Sequence, residues 1–413
     1  MRLIVTSVFA LVAACPLAAE TRPRARDRAE PVSPQAAGVS QANNDFAVGL
    51  YRQLAETDGN LFCSPYSIHQ AFSLVWGGAR GDTAAQMARV LRLGQQVSDA
   101  VHAGGAELRQ RLNEGERPYQ LRVANALWLA RDYSFQDEFL RLGTRRYGAE
   151  LRTLDLAGAP EPSRATINQW VEDQTAGRIK DLLPPGAIHT LTRLVLTNAI
   201  YFKGTWDAPF DPKQTEDQPF LLAAGQQVPV PLMFRQGRYA YARHGNVQVL
   251  ALPYEGDALS LVVLLPTARD GLAALEAGLE EATLRRWLTS LRAQDVRVYL
   301  PRFKLASSLQ LNAAMRALGM HDAFDPQRAD FRGISGTPEL YITDALHKAF
   351  VEVNEEGTEA AAATGIVLSE TSARLDPEPV FRADHPFLFL IRDDRSGAVL
   401  FLGRVVNPRA AGE

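Results

Sequence analysis

The sequence predicts an α+β protein with large antiparallel or mixed sheets, and three observations carry the prediction. Capped segments with helical periodicity occupy the N-terminal part of the chain. From residue 193 onward, the apolar residues fall instead in short β-branched or aromatic runs. Those runs are bounded by Gly, Pro or Asp, and helices gathered ahead of strands indicate segregated layers rather than alternating β-α-β units. Of 413 residues, 46% are hydrophobic and 22% charged, an ordinary globular composition able to bury a large core. A formal net charge of -3 gives no field that would attract nucleic acid. No Pro/Gly/Ser-rich linker interrupts residues 41 to 406, so one large domain, acting as a monomer, is expected.

Asn43, Asn44 and Asp45 offer caps for a first helix, in which Phe46, Leu50 and Leu54 recur at spacing four. In "CSPYSIHQAFSLVWGG", Ser64 is a cap, Pro65 takes the first helical position and Gly77-Gly78 a stop. That helix is apolar nearly all round and therefore buried. A third helix runs from about Asp82 to Leu93, closed by Gly94; a fourth comes after Ser163, with Ile167, Trp170 and Val171 on one face before Gly177. Strands are expected at 193–202, 258–266, 296–304, 349–356, 386–393 and 398–406. Ser396-Gly397 marks a hairpin turn between the last two.

The first residues, "MRLIVTSVFALVAACPLAAE", combine Arg2, an apolar run from Leu3 to Ala14 and small residues near a cut, which together make an export signal. A run of about 12 residues is too short to span a bilayer. Val12-Ala13-Ala14-Cys15 resembles a bacterial lipobox, in which Cys15 becomes the lipidated first residue and the chain is anchored to the cell envelope. Cleavage after Ala19, giving a secreted protein, is the alternative. Residues 20–40, with Arg22, Arg24, Arg26, Arg28 and several prolines, read as a disordered tether. With Cys15 lipidated, Cys63 is the sole remaining thiol, read as a buried small hydrophobe.

An enzyme needs a constellation of reactive groups, and the sequence supplies none. "RGISGT" around Ser335 lacks the glycine spacing of a nucleophile elbow, no H-E-x-x-H occurs, and the seven histidines are scattered. No cofactor or metal is implied. His347, beside an apolar run, reads as a satisfied core histidine, and Glu355-Glu356 as a solvated strand end. "RLGTRRYG" (141–148) carries three arginines that read as a solvated face rather than a polyanion site.

One stretch fits neither helix nor ordinary loop. In "EVNEEGTEAAAATGIVLSETSARLDPEP" (352–379), Glu359 to Ala363 suit a helix by propensity, but Gly357 and Gly365 bracket them and no apolar stripe docks them. With a period of two, Thr358, Ala360, Ala362, Thr364, Ile366 and Leu368 share one small uncharged face, while Glu359 stays on the other. The segment reads as a loop that can become a strand.

Four stretches resemble a known family. "HKAFVEVNEEGTEAAAATG" (347–365), "LTNAIYFKGTWDAPF" (196–210), "FCSPYSIHQAFSLVWGGARGDTAAQM" (62–87) and "FRADHPFLFLIRD" (381–393) together resemble the serpins. The resemblance implies a single domain over 41–408, with three β-sheets, about nine α-helices and an exposed reactive-centre loop at about 354–380. It also implies suicide inhibition of serine or cysteine endopeptidases. A protease cleaves the loop, is held as an acyl-enzyme, and the freed loop inserts as a strand into the main sheet; serpin insertion is among the standard examples of strand addition. Each residue from Thr358 to Thr371 then gains a ladder bond worth about 0.5 to 1.5 kcal/mol, on the order of 10 kcal/mol in total. Before cleavage the chain is expected to be too short to reach in, so the stressed form persists kinetically.

Residue by residue, Glu355, Glu356, Gly357, Thr358, Glu359, Ala360, Ala361, Ala362, Ala363 and Thr364 match the family's hinge. Ser64, Ser67, Asn198 and His347 match its shutter, and Trp206 its breach, where insertion starts. Counting forward from Gly357 places the scissile bond at Thr371-Ser372; counting back from Pro386 places it at Leu375-Asp376. The loop is about four residues longer than usual, a surplus of roughly 13 Å. Slack before the bond would loosen the tether on the protease, which favours the forward count. Thr371 suits an elastase-like or subtilisin-like target; Arg374 is the rival and suits a trypsin-like one, with Leu368, Ser372 and Leu375 as lesser candidates. Non-inhibitory members, acting as carriers, chaperones or storage proteins, commonly have bulky, charged or proline residues where this chain has "GTEAAAAT".

Overall fold

The computed structural model describes residues 31–113, 117–222, 225–358 and 378–410. Its helices in chain order are α1 Pro34–Leu54, α2 Pro65–Gly78, α3 Gly81–Val90, α4 Ser98–Asn113, α5 Asp137–Leu142, α6 Pro160–Gln174, α7 Leu272–Ala277, α8 Glu281–Thr289, α9 Asn312–Ala317 and α10 Arg332–Ser335. The strands are β1 Leu61–Cys63, β2 Tyr119–Ala130, β3 Glu150–Leu154, β4 Leu194–Thr205, β5 Glu216–Leu221, β6 Gln227–His244, β7 Val247–Pro253 and β8 Leu259–Pro266. They continue with β9 Arg292–Pro301, β10 Phe303–Gln310, β11 Asp344–Val353, β12 Gly357–Thr358, β13 Val380–Arg382, β14 Phe387–Asp393 and β15 Val399–Val405. Val32–Glu413 forms one compact unit.

The α1 helix begins earlier than its expected caps. Ser33 accepts from the Ala36 amide and Pro34 takes the first helical position, so Ser-Pro outcompetes Asn43–Asp45 as a start signal. Ala36, Val39 and Asn43 continue the Phe46/Leu50/Leu54 stripe into the core. Residues 34–40, read as the end of a tether, are therefore helical, while residues 1–30, including Cys15, lie outside the described residues. The two asparagines pin α1 to the last hairpin instead of capping it: Asn43 donates to the Val399 carbonyl and Asn44 to that of Gly397, at 3.0 and 2.9 Å. α2 obeys its sequence signals. Ser64 accepts from the Ser67 amide, Pro65 opens the helix and Gly78 ends it, with almost every side chain buried. α3 stops at Val90, short of Leu93, and α6 starts at Pro160, ahead of Ser163. Cys63 is fully buried, and desolvation pushes its thiol up to about 12.

Two ladders organise the strands. One has six strands in the order β10-β11-β12-β4-β2-β3; the other runs β1-β15-β14-β8-β7-β6-β9-β13, with β5 added on β6. The 18-residue β6 pairs with β7 through its C-terminal end and with β5 and β9 through the rest, so the second ladder comprises two sheets that share one strand. The run expected as one strand at 296–304 divides after Pro301: β9 belongs to one ladder and β10 to the other. β2 breaks the expected order of helices first and strands later. Its "VANALWLA" carries three Ala and one Asn, residues depleted in strands, and becomes a strand through burial between β4 and β3. β6 escapes a period-two reading because Pro229, Pro231 and several arginines interrupt it.

Candidate functional site: a seated hinge above a polar latch

The β4 and β11 strands run parallel and pair directly from Val195–Asp344 up to Tyr201–Phe350. Above that point β12 lies between them, with Gly357 opposite Thr205, and Thr358 opposite both Gly204 and Val353. The first two residues of the strand-capable segment are thus already in the sheet, whereas an uncleaved loop was expected to stay out. Glycine is required here. Gly357 has φ +150°, and a Cβ would meet the Gly204 carbonyl and lie 2.7 Å from the Thr205 Cα. Thr358 is fully buried, and its hydroxyl lies 2.7 Å from that of Tyr254.

The aromatic floor continues from Tyr254 to Trp206, whose rings stack at 4.6 Å. Trp206 holds the incoming chain twice: its indole N–H donates to the Asn354 carbonyl and its backbone N–H to that of Glu356, both at 2.9 Å. Glu355 is buried, not solvated as its sequence suggested, because Arg302 donates to both carboxylate oxygens and Thr215 donates a third bond. Burial pushes this carboxyl up, and those hydrogen bonds outweigh it, leaving Glu355 below the usual glutamate range.

Beneath the seat lies a closed polar network. The Ser64 amide donates to His347 Nε2 at 3.0 Å, which fixes the neutral tautomer with its proton on Nδ1, facing Asn198 Oδ1. Asn198 Nδ2 donates to Ser67 Oγ at 2.5 Å and to Asn125 Oδ1. Ser64 Oγ accepts from Ser67 N and donates to the Leu400 carbonyl at 2.6 Å. Burial drives the His347 imidazole down to about 3, so it stays neutral. Asn198 and His347 are direct partners in the β4–β11 register, so their bond crosses the line along which another strand would enter.

Ser64, Ser67, Asn198 and His347, which only the family resemblance had grouped, are hydrogen-bonded together, with Trp206 in the tier above. Sequence reading missed Asn125, Tyr254, Arg302 and Thr215. Asn125 carried no signal beyond being polar in an apolar run, and Tyr254 lies 104 positions from its partner Thr358. Glu359, Ala360, Ala361, Ala362, Ala363, Thr364, Thr371, Ser372, Arg374 and Leu375 lie outside the described residues.

The family description "Serpin (serine protease inhibitor)" matches residues 41–408. Leukocyte elastase inhibitor of Bos taurus is 44% identical over 380 residues, covering 90% of this chain and 99% of that protein. Antithrombin-III of Mus musculus is 40% identical over 381 residues, covering 90% and 82%. Among solved structures, human thyroxine-binding globulin complexed with thyroxine superposes with a TM-score of 0.82 at 30% identity, covering 91% of this chain and 100% of that one. With a strand seat open between β4 and β11, and with matches spanning nearly the whole folded chain, the protein belongs to the serpin family.

Proposed function

We propose that this serpin inhibits serine proteases by offering its loop for cleavage and then drawing the freed segment into the six-stranded sheet. The observation that carries this reading is the hinge, with Gly357 and Thr358 already laddered to β4 and β11. Ala360, Ala362 and Thr364, next on the Thr358 face, are small and uncharged and suit continued burial. Thr371-Ser372 is the bond in this reading and an elastase-like or subtilisin-like enzyme the target, a choice in keeping with the 44%-identical relative named for elastase inhibition. A trypsin-like enzyme cutting at Arg374 is the second target class. In the same reading, residues 1–19 direct export and Cys15 carries the lipid; the mass of the mature N-terminus tests that part.

The test of inhibition is an intact-mass measurement after mixing with elastase, subtilisin or trypsin and denaturing. An adduct of serpin plus protease, less the released C-terminal peptide, is expected, and the peptide's mass distinguishes Thr371 from Arg374. Cleaved serpin beside free protease in every case refutes the elastase-, subtilisin- and trypsin-like targets and favours the carrier, chaperone or storage reading or a target of another class.

A further inference from the structure

The corner between β13 and β14 is built around a buried histidine with an acceptor on each side. His385 is 5% exposed; its Nδ1 lies 2.8 Å from Asp384 Oδ1 and its Nε2 2.7 Å from the Pro266 carbonyl. A neutral imidazole carries one N–H, so both bonds form together only when the ring holds two protons. Arg382 Nε donates to Asp384 Oδ2 at 3.0 Å, and Arg269 stands 3.9 Å from the same oxygen, which leaves Oδ1 as an ionised acceptor for His385. These two arginines, one on β13 and one in the turn after β8, are the other charged side chains that meet the pair among the described residues. Burial pushes the Asp384 carboxyl up, and the bonds from His385 and Arg382 outweigh it, leaving it below the usual aspartate range. The local sequence explains why a side chain fills this place. Continuing the β8–β14 register past Leu388–Leu264 brings Pro386 opposite Pro266, and a proline has no N–H to give that carbonyl. His385 supplies the missing donor.

We propose that Asp384 and His385 form a proton-dependent clasp on β13, closed in mildly acidic medium and opened as pH rises through the titration of the histidine. Loss of the Nδ1 proton leaves a ring lone pair facing a carboxylate, and the buried ring then keeps only its bond to Pro266. What the clasp holds is short. β13 pairs with β9 over three residues, Val380 to Arg382, and the Ala383 amide extends that ladder by donating to the Tyr299 carbonyl at 2.9 Å. The Asp384 carbonyl accepts from the Leu221 amide of β5 at 2.8 Å, so the same corner also ties down β5. With the clasp open, these few bonds break and re-form more often. The sign is opposite to that of His347, which the fold holds neutral.

The test uses the intact, uncleaved protein without protease, so its outcome is independent of whether the chain inhibits anything. Magnetic-resonance spectra with ring-labelled histidine count the N–H protons on His385, and amide hydrogen exchange reports protection of Ala383 and Leu221, both from about pH 5.5 to 8.5. Protection is expressed against the intrinsic exchange rate at each pH. Two ring N–H protons at about pH 5.5 and one at about pH 8.5 are expected, with Ala383 protection at least about tenfold lower at the higher pH, because a charge-assisted bond is lost. In Asp384→Asn the side-chain amide donates to a neutral ring, so protection should be the same at both ends of the range. His385→Gln, which does not titrate, should show the lower protection throughout. A number of ring N–H protons that stays constant across the range overturns the proposal. So does equal protection at both ends in the parent, or an unaltered pH dependence in Asp384→Asn.

Discussion

Thr358→Arg places a charge at the first fully buried position of the hinge. Gly357 and Thr358 are the whole of β12, and ladder bonds worth about 1 kcal/mol each hold this two-residue seat by roughly 2 to 3 kcal/mol. Burying an unpaired guanidinium beside the Tyr254 hydroxyl costs several kcal/mol even after relaxation. That cost exceeds the ladder energy, so the hinge leaves the sheet in the resting protein, and insertion after cleavage must overcome the same cost. About 3 kcal/mol added to that barrier slows insertion by roughly 100-fold, while hydrolysis of the acyl-enzyme proceeds unhindered. The assay is the number of serpin molecules consumed per protease molecule inactivated, which is expected to rise from near one to far above it. Thr358→Val keeps the shape, loses only the Tyr254 bond and should stay close to the parent. Unchanged stoichiometry in Thr358→Arg would refute the burial argument and the insertion mechanism with it.

Asn198→Ala strands His347, Ser67 and Asn125, three buried partners, at about 1 kcal/mol or more each. Lower thermal stability and a shift to latent or polymeric forms are expected; an unchanged melting curve with a monodisperse elution profile contradicts that role. His347, His69 and His102 are held by burial at about 3, 4 and 4, below the ordinary histidine value, so they are neutral in the fold and take up protons when unfolded. Their contribution is complete above about pH 6.5 and is lost as pH falls towards the folded values, on the order of 5 kcal/mol for His347. Melting temperature should therefore drop steeply from about pH 6.5 downward, and a flat profile to about pH 4.5 would contradict it. Continuing the β12 register places Thr364 opposite both Asn198 and His347 in the inserted state. Thr364→Val should leave uncleaved stability unaltered and lower the melting temperature of the cleaved form; equal cleaved-form melting temperatures would exclude that contact.

The difference between what the sequence disclosed and what it withheld tracks the range of each interaction. α2 was legible because Ser64, Pro65, Gly77 and Gly78 act within one helix, through a cap, a fixed φ and a stop. The hinge was legible as a latent strand because a period of two needs only neighbours in sequence. Its present state was not: Thr358 is seated by Gly204, Val353 and Tyr254, and Glu355 by Arg302 and Thr215, partners that no local pattern ties to it. Grouping Ser64, Ser67, Asn198 and His347 drew on family resemblance, and the hydrogen bonds supply the physics behind the grouping. The network joins α2, β2, β4, β11 and β15, so it is strong only while these elements keep their closed spacing. In the proposed mechanism, the pairing of Gly357 and Thr358 with β4 and β11 is the first step of insertion, above a latch that is still shut. In that mechanism the segment must part the β4–β11 ladder from Tyr201–Phe350 downward before it reaches the Asn198–His347 bond.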